Sequence, residues 1–300
     1  MEHKKELIIV GAGPTGLTAA LYSKRYGIDF LVIEKLNYGG QILLTYEIEN
    51  YPGFIERNPL KLVENMKKQI EGVEILNDEI KNVKKENDIF VLEGNKKYYS
   101  KSIIWATGSK FRKLGVKGEE EFTGRGVSYC ATCDGYFFKD KRVACVGGGN
   151  RAIEEAIYLS NIAKEVLLFH RRDKLRAEKE LQDRIFSKEN VIFFWNSIIE
   201  EIYGKDKVEG VIANVSGKRK RISVDGVFIF IGMIPNNEPV KEILSLESGE
   251  SFIMTDEKMQ TKVEGFFAAG DCRKKELYQV ITACSDGAVA AFWCKNFLEK

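Results

Sequence analysis

Histidine is nearly absent from this 300-residue chain, which holds only His3 and His170. A mechanism built on a histidine base therefore has at most one candidate, and catalytic acids must be sought among the carboxylates. Cysteine is sparse as well. Six are too few for a disulfide scaffold at this length. Only Cys130 and Cys133 have a motif spacing, and Cys145, Cys272, Cys284 and Cys294 read as structural. Neither sign of charge dominates: 46 Lys and Arg against 44 Asp and Glu leave +2, a field too weak to imply a nucleic-acid or anionic-lipid partner. Long apolar runs are also missing. The longest, residues 227–234, covers eight positions, far short of the roughly 18–20 that a membrane span needs. Met1-Glu2-His3-Lys4-Lys5-Glu6 leads into a four-residue apolar strand with no signal-peptide core or small-residue cleavage site behind it. The expectation is a cytoplasmic protein with no nucleic-acid and no membrane partner.

What is present is a core-forming composition, 44% hydrophobic, at a length that suggests two domains. Leu7-Ile8-Ile9-Val10 reads as a buried parallel strand, followed by Gly11-Ala12-Gly13-Pro14-Thr15-Gly16 and a helical stretch over 17–26 that stops at Gly27. A second strand, Phe30-Leu31-Val32-Ile33, ends in Glu34, 23 positions after Gly11. In a dinucleotide-binding unit the glycines allow the turn, backbone approach to a pyrophosphate and close helix packing, while the acid receives a ribose hydroxyl. A glycine fingerprint alone also fits a plain strand-to-helix turn; the full strand, turn, helix, strand, acid series favours the nucleotide.

The pattern repeats. Arg142-Val143-Ala144-Cys145-Val146 precedes Gly147-Gly148-Gly149-Asn150-Arg151-Ala152, a helical 153–160 and the strand Glu165-Val166-Leu167-Leu168-Phe169. This strand delivers His170-Arg171-Arg172 and then Arg176 in place of an acid, and guanidinium groups at the ribose suit a 2′-phosphate, hence NADPH. Each unit closes on an apolar strand ending in glycine, Ser102 to Gly108 and Val227 to Gly232, with short β-rich stretches before it. The basic run Lys218-Arg219-Lys220-Arg221 follows a Ser216-Gly217 turn and reads as a solvated hairpin.

Cys130-Ala131-Thr132-Cys133-Asp134-Gly135 lies just ahead of the second glycine turn. Zinc would need four ligands, and the other cysteines supply no second pair. Two intervening residues hold the sulfurs close enough for a reversible disulfide. Passing nicotinamide hydride to a disulfide calls for an electron-rich centre that takes a hydride and attacks sulfur, which implies a flavin.

These residues resemble the low-molecular-weight thioredoxin reductases of bacteria and archaea over nearly the whole chain. The family's cysteine motif is C-A-T-C-D-G as it stands at 130–135, and G-G-G-N-x-A and H-R-R-D-x-x-R-A stand at 147–152 and 170–177. Gly39-Gly40-Gln41, Glu49-Asn50-Tyr51-Pro52-Gly53, Ala106-Thr107-Gly108, Gly265-Phe266-Phe267-Ala268-Ala269-Gly270-Asp271 and Gln279-Val280 resemble its flavin-site segments. The resemblance implies an α/β fold of two Rossmann-like three-layer (ββα) domains, with an NADPH domain (113–238) inserted into an FAD domain (1–112 and 239–300). FAD would be held by Gly11, Gly13, Pro14, Thr15, Gly16, Glu34, Gly40, Gln41, Asn50, Val83, Ala106, Thr107, Gly108, Gly270, Asp271, Gln279 and Val280. NADPH would be held by Gly148, Gly149, Asn150, Arg151, His170, Arg171, Arg172 and Arg176. It further implies a thioredoxin disulfide as acceptor, a homodimer, rotation of the domains about two crossings near 109–116 and 234–239, Cys133 as the sulfur nearest the flavin, Cys130 as the one attacking the acceptor, and Asp134 as the acid. Asp134 also reads as a turn or cap acid before Gly135.

Two positions depart from the family. Arg151 stands where Ser or Thr is usual, and reads either as a pyrophosphate contact or as a solvated side chain; Tyr278 stands where Arg is frequent and removes a cation near the FAD. Tyr136-Phe137-Phe138 and Arg125 read equally as docking groups for a protein disulfide or as local packing and a solvated charge. Other readings are the same machinery with another donor or acceptor, such as a small-molecule dithiol oxidase, a peroxide-system reductase or a ferredoxin-linked reductase, and a flavin-binding sensor without turnover. Intact arginines weigh against ferredoxin.

Overall fold

The computed structural model describes residues 3–44, 48 and 50–300, with the side chains of His3 and Leu44 left out. Glu49 of the flavin-site segment lies outside the described residues. The chain forms two compact units, one built from Met1–Leu43, Tyr51–Lys110 and Ile234–Lys300, the other from Leu44–Asn50 and Phe111–Met233.

In the first unit the strand His3–Val10 pairs in parallel with Phe30–Glu34 on one side and Lys97–Trp105 on the other. Lys97–Trp105 then shares its far edge: Phe266–Ala268 pairs in parallel with its end, while Ile89–Glu93 runs antiparallel to its start. Strand Ile75–Asn77 extends one edge and Asn82–Glu86 the other, giving a seven-stranded sheet. Alternate residues of the buried strands serve opposite cores, as the two-residue period demands. Ile9, Ile104 and Phe267 pack with Leu17, Ala20, Ala290 and Ala291 from the helices Pro14–Tyr26 and Val280–Leu298. Ile8, Ile103 and Phe266 pack instead with Val83, Phe90 and Val240.

The second unit repeats the scheme. Its parallel sheet runs Val191–Phe194, Glu165–Phe169, Arg142–Gly147, Gly226–Phe230, Val127–Ser128. One face packs Cys145, Val166, Leu168 and Phe228 against Ile153 and Ile157 of the helix Asn150–Ser160. The other packs Ala144, Leu167, Phe169 and Val227 against Ile202 and Val211 of an antiparallel three-stranded sheet, Ser197–Gly204, Val208–Val215 and Lys218–Ser223. This is a three-layer ββα arrangement. Lys218 to Arg221 are exposed on the last of those strands, a solvated hairpin as their surroundings in the sequence suggest.

Candidate active site

The turn after His3–Val10 holds Gly11 at φ +105°, and a Cβ there would run into the carbonyl of Ala106. Only glycine fits. Gly13 then begins the helix Pro14–Tyr26 with no side-chain capping bond, and Pro14 occupies its first position. The first amides of this helix are therefore left to a ligand, which is the anion-binding arrangement of a helix start. Glu34 closes the neighbouring strand with its carboxylate turned to the same loop, accepting from the Ala12 amide at 2.7 Å and the Leu36 amide at 2.9 Å. Beside it lies a cavity of about 240 Å³ lined by Glu34, Leu36, Asn37, Tyr38, Lys67, Ile75, Leu76 and Asn77.

Several sequence-distant residues converge on this turn. Gly40 lies against Gly13, Thr15 against Gly270, and Gly16 against the Gly11 carbonyl. Ala106 donates to the Val10 carbonyl at 2.8 Å, while Thr107 Oγ1 donates to the Asn236 carbonyl at 3.0 Å and the Gly108 carbonyl accepts from the Asn236 amide at 3.0 Å. Gln41 Nε2 donates to the Ser109 carbonyl. Gln279 caps the helix Val280–Leu298 through a reciprocal pair with Thr282, which sets Val280 at the helix start. Val83 is buried in the core. Asn50 is exposed and falls in the segment Leu44–Asn50, which groups with the second unit.

The Gly270–Asp271 turn rests on a group that the sequence reading missed. Asp286 accepts from the Gly270 amide at 3.0 Å and takes a bidentate bond from Arg273, 2.9 Å to each oxygen. Its side chain is 8% exposed in a largely apolar helix, and no motif marks it in the sequence. Asp271 Oδ1 is buried without a hydrogen-bond donor. Lys275 Nζ, 3.0 Å away, pairs with it by charge, off the hydrogen-bonding direction. An acceptor so placed suits a ribityl hydroxyl of FAD, and with the uncapped helix and Glu34 the residues fit that cofactor. Tyr278, where the family often has arginine, packs at a tilt against Phe252 and lies under the Lys275 ammonium at 5.6 Å. A buried cation therefore does stand beside Asp271.

In the second unit Gly149 begins the helix Asn150–Ser160, again uncapped by a side chain, and a Cβ on Gly149 would meet only open space. Gly148 lies on the His170 ring, where any Cβ would collide. His170 is buried, with its Nε2 3.0 Å from the Lys174 carbonyl. Burial, followed by the charges of Arg176 and Arg172, pulls its pKa below 6.5 despite carbonyl partners that act the other way. The imidazole is a buried floor for the turn. Arg171, Arg172 and Arg176 are exposed, and the Arg176 amide donates to the Gly148 carbonyl at 2.7 Å, fastening the arginine loop to the glycine turn. Asn150 clasps Glu178, giving 2.9 Å to its carboxylate and taking 2.9 Å from its amide. Arg151 turns to the Met233 sulfur at 2.9 Å and toward Glu155. These uncapped amides and exposed guanidinium groups fit NADPH.

Cys130 and Cys133 form a disulfide, with Cα atoms 5.3 Å apart, at the start of the short helix Ala131–Asp134. Ser128 Oγ accepts from the Cys130 amide at 3.1 Å and donates to Asp134 Oδ2 at 2.5 Å. Asp134 makes no capping bond to the 3-10 turn Gly135–Phe138. Phe138 packs edge-on against Phe228 in the core, whereas Tyr136 is 60% exposed. Arg125 donates to the Glu121 carbonyl at 2.5 Å and lies over Phe122. Cys145, Cys272, Cys284 and Cys294 are all buried free thiols.

Two uncapped nucleotide turns and a disulfide in a C-x-x-C turn define a dinucleotide-dependent disulfide oxidoreductase. Residues 5–287 match the family described as pyridine nucleotide-disulphide oxidoreductase. The chain is 46% identical to the thioredoxin reductase of Listeria monocytogenes, over 98% of this chain and 94% of that one. It is 44% identical to the thioredoxin reductase of Peptoclostridium acidaminophilum, over 100% and 98%. The crystal structure of thioredoxin reductase from Streptococcus pyogenes matches at a TM-score of 0.92 and 42% identity, over 100% and 99%. The chain belongs to the pyridine nucleotide-disulphide oxidoreductase family, among its low-molecular-weight thioredoxin reductases.

Proposed function

We propose that this protein carries reducing equivalents from NADPH through FAD and the Cys130–Cys133 disulfide to the disulfide of thioredoxin. The observation that carries the proposal is the closed disulfide in the same unit as an arginine-flanked nucleotide turn, while the turn with an acid at its ribose position belongs to the other unit. The first unit is read as the FAD domain and the second as the NADPH domain. Bound FAD supplies a centre that takes a hydride from nicotinamide and returns an electron pair to a disulfide. Gly11, Gly13, Glu34 and Asp271 hold it, and Arg171, Arg172 and Arg176 select the phosphorylated nucleotide.

Once the pair is reduced, the Cys130 thiolate attacks the acceptor's disulfide and one acceptor sulfur leaves. Cys133 then displaces the second acceptor sulfur from Cys130 and the enzyme disulfide closes again. Two departing sulfurs take up protons, and Asp134, tied to the cysteine loop through Ser128, is the acid in position to relay them. The exposed Tyr136 ring beside the pair supports a protein as acceptor. Four buried free thiols and a disulfide that must be cycled suit the reducing cytoplasm, and a homodimer is the assembly that membership of this family implies.

The test is consumption of NADPH by the FAD-loaded enzyme with a panel of thioredoxins and glutaredoxins, run in parallel with NADH. Turnover is expected with thioredoxin and NADPH. No consumption with FAD bound refutes the proposal, and preference for NADH refutes the role given to the arginines.

A further inference from the structure

Glu155 sits on the helix Asn150–Ser160 with its side chain 13% exposed. Its Oε2 accepts the Ala131 amide at 3.0 Å, and the Thr132 amide also donates to its carboxylate. Those are the first amides of the turn that Cys130 caps. In a C-x-x-C helix such donors ordinarily stabilise a thiolate. Here a carboxylate already occupies them. Burial pushes the Glu155 carboxyl above its ordinary range, opposed by Arg151 and the two amides. Arg151 Nε is 3.9 Å from Glu155 Oε1, Glu154 adds repulsion, and the fully buried Cys145 thiol is itself pushed up, by burial first and by Glu155 second. Asp134 at the end of the same turn is bonded to Ser128. Two amides directed at one carboxylate favour its ionised, acceptor-only form.

We propose that Glu155 is a positioning residue for the Cys130–Cys133 pair: it takes up the 131 and 132 amides and sets a negative charge beside the turn, keeping the dithiol strongly reducing. The inference rests on the pair being the redox centre proposed above. Stabilising the thiolate favours the reduced form and makes a pair more oxidising, as low-pKa cysteines do; a carboxylate in place of free amides acts in the opposite direction.

The test uses FAD-loaded enzyme carrying Glu155→Gln, which keeps an acceptor oxygen and removes the charge. Wild type and variant are equilibrated with dithiothreitol redox buffers, and the thiols are trapped by alkylation and counted by mass. The equilibrium of the variant should move toward the dithiol by about tenfold, or about 30 mV, with faster alkylation of the reduced pair at neutral pH. Identical midpoints overturn the proposal, including the case of a lower melting temperature with an unchanged midpoint, which a merely structural role would give. If Glu155→Gln yields no folded holoenzyme, Arg151→Met reads the same field with the opposite sign: its pair must become harder to reduce, and an unchanged or easier reduction overturns the proposal. Failure of the functional reading shows elsewhere, since NADPH would then leave the wild-type disulfide intact while the dithiothreitol comparison still decides on Glu155.

Discussion

His170 and the arginines around it divide a task that a string of basic residues leaves undivided. The imidazole is buried under Gly148, and burial shifts it toward the neutral form. In the function proposed above, discrimination falls to Arg171, Arg172 and Arg176, which are exposed. A charge-assisted hydrogen bond contributes about 1.5–3 kcal/mol, so Arg171→Ala or Arg172→Ala should raise the KM for NADPH by roughly tenfold or more. The KM for NADH should stay within about twofold, because the lost partner is the 2′-phosphate alone. Steady-state rates with both donors check this, and an equal loss for both would contradict the assignment. The arginine pattern was legible in the sequence because its chemistry is local, a strand end followed by a charged loop. Asp286 was not, since its partners Arg273 and Gly270 are set by tertiary packing rather than by spacing.

At the scale of elements, the strand-turn-helix units emerge where the sequence places them, because apolar runs, glycine turns and terminal acids are local signals. The helix read over 17–26 begins at Pro14, and the strand read from Leu7 begins at His3. What local signals miss is how hairpins are tied down. Asp78 is 5% exposed and accepts from Tyr98 Oη at 2.7 Å, Glu79 N at 2.7 Å, Asn95 N at 3.0 Å and Lys96 N at 3.3 Å. It anchors the turn between Ile89–Glu93 and Lys97–Trp105, and no motif announces it. Burial pushes its carboxyl up, yet these donors outweigh burial and hold its pKa below the usual 3.8. A carboxyl lowered in the folded state stabilises the fold above the unfolded pKa and loses that contribution as pH falls through the folded one. Asp78→Asn would turn an NH2 toward donors, so it should cost about 2 kcal/mol near pH 7. The same change should flatten the fall in stability below about pH 4, and urea melts across pH read both effects. An Asn variant as stable as the wild type at pH 7 would show that the anchor is not stabilising.

At the scale of the whole molecule, the order of reaction requires that the disulfide be the last station before the acceptor and that hydride transfer to flavin not depend on it. The chain's layout suits that separation: the first unit is assembled from three stretches of sequence around the Gly11 turn and Asp271, while the sulfurs sit in the second with the other nucleotide turn. A division of the chain into consecutive halves, the simplest inference from length, misses this because the closing strand Phe266–Ala268 and the helix Val280–Leu298 return to a sheet begun at His3–Val10. Motif identity at Gly270-Asp271 made the return legible where periodicity did not. The separation has a kinetic signature. Cys130→Ser and Cys133→Ser should each lower thioredoxin reduction by at least about a thousandfold, since a single sulfur can neither reopen nor close the disulfide. NADPH oxidation with a small acceptor that draws electrons straight from the flavin should remain within about threefold of wild type, with FAD content unchanged. Comparing the two activities on the same FAD-loaded preparations checks it. Parallel loss of both would place the cysteines before the flavin in the sequence of transfers, or make them structural, and either result would reverse the order of stations proposed for this enzyme.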